Sequence, residues 1–366
     1  MDRRAVQRIG RRAFLAGVGG AALAAACAPA TTPATASPAA AAPTKAAIGP
    51  AEKSKLKTTQ AAATLAFVQV NIARAKGFFR DEGLEVEQLQ TGGGGPDLQA
   101  LIAGEVDFTI GAGTYQTDAF TQGRRILNVF NTLDKNVVNF AMHADVAKER
   151  GITEKSPLKD KLASIRGLKI GGTRPGALTY QQAEYLVRLA GFTPQKEVQV
   201  VGAGADAALI AALESRQIDV LAQTVPVPEQ AVARGKAILF INNAAGEDPG
   251  LVPFNMENVF TRPDFAEQNP NTVARFVRAV KRANDFLLGS SAADIAAAVK
   301  DDEFFRGLDP KVLEAGSASI KAATNRTGIL DRKSVENQIK MQNITGLDLE
   351  RVLELFTDRY IKLIGA

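Results

Sequence analysis

Short apolar runs alternate with stretches of helical period along most of this chain. From about Thr64 the pattern predicts a strand over 63–69, a helix over 72–82, a strand over 84–90, a glycine loop, a helix over 98–103 and a strand over 107–111. A lysine-rich stretch from Lys148 to Lys161 reads as surface. A second series follows, with strands over 168–171, 198–201 and 219–223 and helices over 178–190 and 207–215. Such alternation is the signature of an α/β fold on mainly parallel strands. Past residue 250, a strand-like run over 254–261 precedes helical patterns at 271–288, 309–323, 334–343 and 348–363. The first of these repeats Val273, Phe276, Val277, Val280, Ala283 and Leu287 at helical spacing, which predicts one buried face.

The two series carry a weak internal repeat. Residues 99–108 align with 211–220 at an offset of 112, and in both copies a helix ends before an acid, Asp107 or Asp219, opens an apolar strand. Two similar lobes are expected, each an open sheet. Ligands of such sheets bind beyond the carboxyl ends of the strands, so facing lobes would enclose a cleft.

The first fifty residues have a different character. Arginines precede the apolar run Phe14 to Ala26, which is too short and too rich in glycine for the roughly 20 apolar residues of a membrane span. The segment reads as an export signal over 1–26. Arg11-Arg12-Ala13-Phe14-Leu15 resembles the twin-arginine core, with a general secretory signal as the alternative. Ala24-Ala25-Ala26-Cys27 resembles a lipobox, although the favoured leucine stands one place early at Leu23; a signal-peptidase site beside an incidental cysteine is the alternative. Residues 27–60 are then a lipidated tether rich in Ala, Pro and Thr, with too little apolar bulk to fold.

Charge and composition remove several function classes. The net charge is +5, but +4 of it falls before residue 27, which leaves no basic footprint for a nucleic acid. A single cysteine and a single histidine, Cys27 and His143, exclude a Cys/His zinc site, a Cys-x-x-Cys pair and a Cys/His dyad in the folded part. His143 and Asp107 read as structural, the acid as a cap or buttress of its strand. No catalytic group, metal or cofactor is expected.

Over residues 62–362 the sequence resembles the substrate-binding proteins of bacterial ABC importers, in the sulfonate, nitrate, taurine and thiamine-pyrimidine-precursor group. The carriers are the segment 75–86 (AKGFFRDEGLEV), the segment 100–107 (ALIAGEVD), Leu168-Lys169-Ile170-Gly171 with Pro175-Gly176, and Asn269-Pro270 with the helix behind it. Each is weak alone; their order and spacing make the resemblance. It implies a two-lobed, type II periplasmic-binding-protein-like fold, each lobe an open mixed sheet flanked by helices. One lobe would comprise 61–140 with 253–366 and the other 141–252. It further implies a monomeric, exported receptor that closes on a small organic anion or related solute and delivers it to an ABC permease, held at the membrane by a lipid anchor. A receptor presenting ligand to a membrane sensor is an alternative. So is a thiamine-pyrimidine biosynthesis enzyme with this fold, which needs an active-site histidine and a cysteine-rich motif that this chain does not supply.

Candidate ligand contacts cluster at predicted strand ends. Glycine turns and helix starts there present unpaired N–H groups that hold oxyanions. Gly93 and Gly94 in the loop 91–97 allow close approach of backbone to ligand, or the loop is plain surface with Asp97 as a cap. Gly113, Thr114 and Tyr115 follow the third strand, with a helix cap and a core tyrosine as the other reading. Thr173, Arg174, Gly176 and Ala177 open the second lobe; Ala177 stands where the family usually has a hydroxyl, and Arg174 either forks onto a sulfonate or carboxylate or is solvated. Phe67, Gln69 and Asn71 surround the first strand's end, Phe67 serving as wall or as core. Thr224 ends the last strand of the second lobe, with Glu229 nearby as a weaker candidate. Asn255 and Glu257 share one face of the returning strand, toward the cleft or toward solvent. Phe67, Tyr115 and Phe254 would sandwich an aromatic solute if the ligand were a ring rather than an anion.

Overall fold

The computed structural model describes residues 48–365. Cys27, the twin-arginine motif and most of the expected tether lie outside them. Among the described residues, ten strands form two five-stranded sheets. The first holds β1 (Lys55–Gln60), β2 (Glu85–Gln90), β3 (Phe108–Ala112), β4 (Leu127–Leu133) and β10 (Glu257–Thr261), in the order β2-β1-β3-β10-β4. The second holds β5 (Val138–His143), β6 (Lys169–Gly172), β7 (Gln199–Gly202), β8 (Val220–Thr224) and β9 (Ala237–Ile241), in the order β7-β6-β8-β5-β9. In each, the three strands on one side are parallel and the last two run as an antiparallel pair. The sheets therefore share one topology.

Two acids anchor the repeat that the sequence shows. The Asp107 carboxylate accepts the backbone N–H of Lys57 at 3.1 Å, and the Asp219 carboxylate accepts that of Lys169 at 2.9 Å. Both partners sit in the central parallel strand of their sheet, β1 or β6. Asp107 also takes the Lys53 ammonium at 2.8 Å.

The chain passes between the sheets twice. It leaves the first after β4, supplies β5 to the second, and returns after β9 to insert β10 between β3 and β4. The crossings meet where Phe254 N–H donates to the Asp134 carbonyl at 3.0 Å and Met256 N–H to the Leu133 carbonyl at 3.2 Å.

The long helix Pro270–Gly289 covers the first sheet, and every apolar residue expected on its buried face is inaccessible. Pro270 stands in its first turn, where a missing N–H costs nothing. The Phe276 ring stacks on Phe108 of β3 at 3.9 Å between centroids, and each such burial contributes about 1.5–3 kcal/mol.

Three expectations need correction. β1 starts at Lys55, inside the segment read as tether; Thr58, Thr59 and Gln60 are buried in succession after Leu56, so three of its four buried positions are polar and hydrophobicity does not mark it. The run read as a strand over 63–69 is a short 3-10 turn, Leu65–Phe67, continuing into the helix Val68–Ala75. That helix is buried on nearly every side, and a short unbroken apolar run does not distinguish a buried helix from a strand. Lys161 is not surface: it is 1% exposed and donates to Glu247 at 2.6 Å and to the Glu154 carbonyl at 2.8 Å.

Candidate functional site

The loops at the carboxyl ends of both parallel sets face one another and line a half-open cavity of about 40 Å³. From the first lobe come Ala61, Ala62, Phe67, Gly94, Ala112, Tyr115 and Glu257; from the second, Thr173, Ala177, Leu178, Thr179, Gln223 and Thr224. β10 runs antiparallel, so Glu257 at its start pairs with Ala112 at the end of β3 and reaches the same edge.

Phe67, Gly94, Tyr115, Thr173, Ala177, Thr224 and Glu257 thus meet around one space. Others are used elsewhere. Gln69 and Asn71 lie inside the buried helix, where Gln69 donates to the Thr132 carbonyl at 3.5 Å and Asn71 to Gln88 and Asp302 at 3.4 Å. Asn255 belongs to a buried amide network: it donates to Gln338 at 2.8 Å and accepts from Asn131 and Asn258. Gly113 packs directly against Asn255. Thr114 is fully buried outside the cavity wall, and Phe254 is core. Gly176 is an exposed turn glycine at φ +83° with open space around it. Glu229 pairs with Asn139 at 2.7 Å, away from the cavity. His143 caps the helix Ala144–Glu149, its Nδ1 accepting the Asp145 N–H at 3.2 Å; burial lowers its proton affinity.

The glycine loop is closely packed by side chains. A Cβ on Gly94 would stand 2.7 Å from the Tyr115 ring, and one on Gly93 would strike the Arg174 side chain. The glycines make room for side chains of both lobes. Arg174 crosses from the second lobe and donates Nη2 to the Gly92 carbonyl at 2.5 Å. Its guanidinium is a rim tie and does not line the cavity.

Behind Tyr115 lies Asp97, which accepts the tyrosine hydroxyl at 2.9 Å and the Thr91 hydroxyl at 2.7 Å. Burial pushes the Asp97 carboxyl up to about 7 despite these bonds. Burial, reinforced by Asp97, also holds Glu257 well above the usual carboxylate range. Further ties join the lobes: Leu65 N–H to the Val225 carbonyl at 3.2 Å, Ala63 N–H to Asp206 at 3.1 Å, and Arg188 to the Met341 carbonyl at 2.8 Å.

Sequence reasoning missed Ala61 and Ala62 because it missed β1. Gln223 and Thr179 were within reach, since one ends a predicted strand and the other opens a predicted helix. Thr179 receives the Thr173 N–H at 3.0 Å and shapes the turn.

Two sheets of one topology, linked by paired crossings and closed over a cavity at their carboxyl ends, define a periplasmic-binding-protein fold. The periplasmic nitrate-binding protein NrtA of Synechocystis PCC 6803 superposes with a TM-score of 0.68 at 15% identity, over 86% of this chain and 89% of that one. The alkanesulfonate-binding protein SsuA of Xanthomonas axonopodis pv. citri, bound to MOPS, gives 0.65 at 16% identity, over 84% and 99%. Residues 65–291 match the family described as NMT1/THI5 like, and the chain belongs to that family. A candidate binding protein of Bacillus subtilis (strain 168), YtlA, is 23% identical over 73% of this chain and 76% of its own. The 4-amino-5-hydroxymethyl-2-methylpyrimidine phosphate synthase of Aspergillus parasiticus is 26% identical over 61% and 63%.

Proposed function

We propose that this protein is an extracytoplasmic solute receptor of an ABC importer, closing on one small solute and passing it to a permease. The observation that carries the reading is the cavity between the lobes: its walls come about equally from two lobes joined by hydrogen bonds that hinge opening would break. The fold shared with nitrate- and sulfonate-binding proteins supports it. The likeness to a synthase brings no chemistry to the cavity, because none of its walls holds a cysteine or histidine and the one described histidine is spent on a helix cap.

Export and anchoring complete the proposal. The apolar run after Arg11-Arg12 directs the chain out of the cytoplasm, and acylated Cys27 holds it at the outer face of the cytoplasmic membrane. Mass spectrometry of the mature amino terminus from the native host tests the anchor; an unmodified amino terminus refutes it.

A thermal-shift screen of the full chain against nitrate, sulfonates, carboxylates, pyrimidine precursors and polyamines tests the receptor. A ligand at 100 times its Kd adds about 2.7 kcal/mol. No shift with any compound, before or after unfolding and refolding to strip retained solute, would count against it.

A further inference from the structure

The cavity leaves one acceptor and one donor open, and they come from opposite lobes. Glu257 of the first lobe is 2% exposed, and its Oε2 has no hydrogen-bond partner. Gln223 of the second lobe is 2% exposed, and its Nε2 has none. The Gln223 Oε1 already accepts from Thr224 N–H at 2.8 Å and the Thr224 hydroxyl at 3.3 Å, so its amide orientation is set and the NH₂ is the free end. Both residues line the cavity. A buried polar group left unpaired is costly, and two in one cavity between the lobes mark the places a solute fills.

The walls also carry a sign. No lysine, arginine or histidine lines the cavity, and the nearby Arg174 guanidinium is engaged by the Gly92 carbonyl. Asp97 stands behind Tyr115 with both carboxylate oxygens already accepting. Burial favours the neutral Glu257 carboxyl; a cationic donor would supply the counter-charge that ionises it, whereas an anion finds no cation among the lining residues.

Resting on the receptor reading, we propose that the solute presents a cationic or donor-rich nitrogen group, an amidinium or ammonium, to Glu257, and an acceptor atom to Gln223. Its body is apolar and small, set among Phe67, Tyr115 and Leu178. This inference replaces the expectation of an organic anion. A site built to hydrogen-bond an N–H discriminates strongly against analogues that lack it.

The test uses three probes of one shape that suit so small a cavity: acetamidinium, acetamide and acetate, with nitrate and methanesulfonate beside them. Titration calorimetry on the full chain, refolded to remove retained solute, should show acetamidinium binding about a hundredfold more tightly than acetate. Glu257→Gln, which keeps shape, should weaken acetamidinium by at least about tenfold and acetamide by less. Tighter binding of acetate, nitrate or methanesulfonate would overturn the assignment while leaving a receptor. Failure of all five on the wild type would also overturn it, and the broader screen then judges the receptor separately. The wild-type comparison needs no variant, so poor folding of Glu257→Gln cannot mask the answer.

Discussion

Arg174 of the second lobe reaches the backbone carbonyl of Gly92 in the first, donating Nη2 at 2.5 Å over a glycine whose missing side chain makes the crossing possible. The bond exists only while the lobes are together. It therefore favours the closed form whatever the charge of the solute.

Arg174→Ala should weaken every bound solute alike, by about tenfold, the worth of one charge-assisted hydrogen bond at a partly exposed rim. Interlobe distances from spin labels should show more of the open form. Selective loss for anions, with neutral and cationic probes untouched, would instead make Arg174 a direct ligand contact.

Gly94→Ala places a methyl group 2.7 Å from the Tyr115 ring, which is walled in on its far side by Phe260 at 6.1 Å between centroids. Overpacking of this kind costs about 1–3 kcal/mol, and displacing Tyr115 should abolish binding. Gly95→Ala meets no atom within 4 Å and is the control. Equal melting temperatures and affinities for the two variants would contradict the packing described.

Asp97 and Asp118 should make the protein less stable as pH rises. Burial lifts Asp97 from 3.8 to about 7 and Asp118 from 3.8 to about 6, so the folded chain holds protons that the unfolded chain releases. Their contribution is complete below pH about 4 and is lost as pH climbs through 6 and 7. Asp97→Asn keeps an acceptor for one hydroxyl and removes the buried charge, so its urea midpoint should fall less than that of the wild type between pH 5 and 8. Parallel pH profiles would refute this.

Asp107→Ala should destabilise more than Asp219→Ala. The first acid has a side chain 6% exposed and holds both Lys53 and the Lys57 N–H; the second is 20% exposed and accepts the Lys169 N–H. About 1–3 kcal/mol is expected for Asp107, read from the melting temperature, and about 1 kcal/mol for Asp219.

That pair also shows where sequence was informative. The offset of 112 is carried by acids whose hydrogen bonds recur in both sheets, so two like lobes were readable from a ten-residue alignment. Strands β2, β3, β6, β7, β8 and β10 begin within three residues of their expected starts, because apolar alternation or burial marks each. β1 was hidden by its threonines, which are buried without being apolar; the Thr59 hydroxyl pairs with that of Thr109 at 2.8 Å. The error at the following helix then misplaced Gln69 and Asn71. Cavity-lining positions at the true strand ends were legible; the absence of a cation from that lining was not, since it depends on which charges fold inward and which, like Arg174, are tied at the rim.

The twofold crossing has a consequence for how the chain is born. β10 lies between β3 and β4, with Val259 opposite Ile110, so the first sheet lacks its fourth strand until residue 261 has been synthesised. The amino-terminal half must wait, its β3 and β4 edges unpaired, while the entire second sheet is made. Pairings so distant in sequence form slowly. The nascent chain is thus open to aggregation and to chaperones from the completion of β4 until β10 has been made, an interval set by the order of its strands.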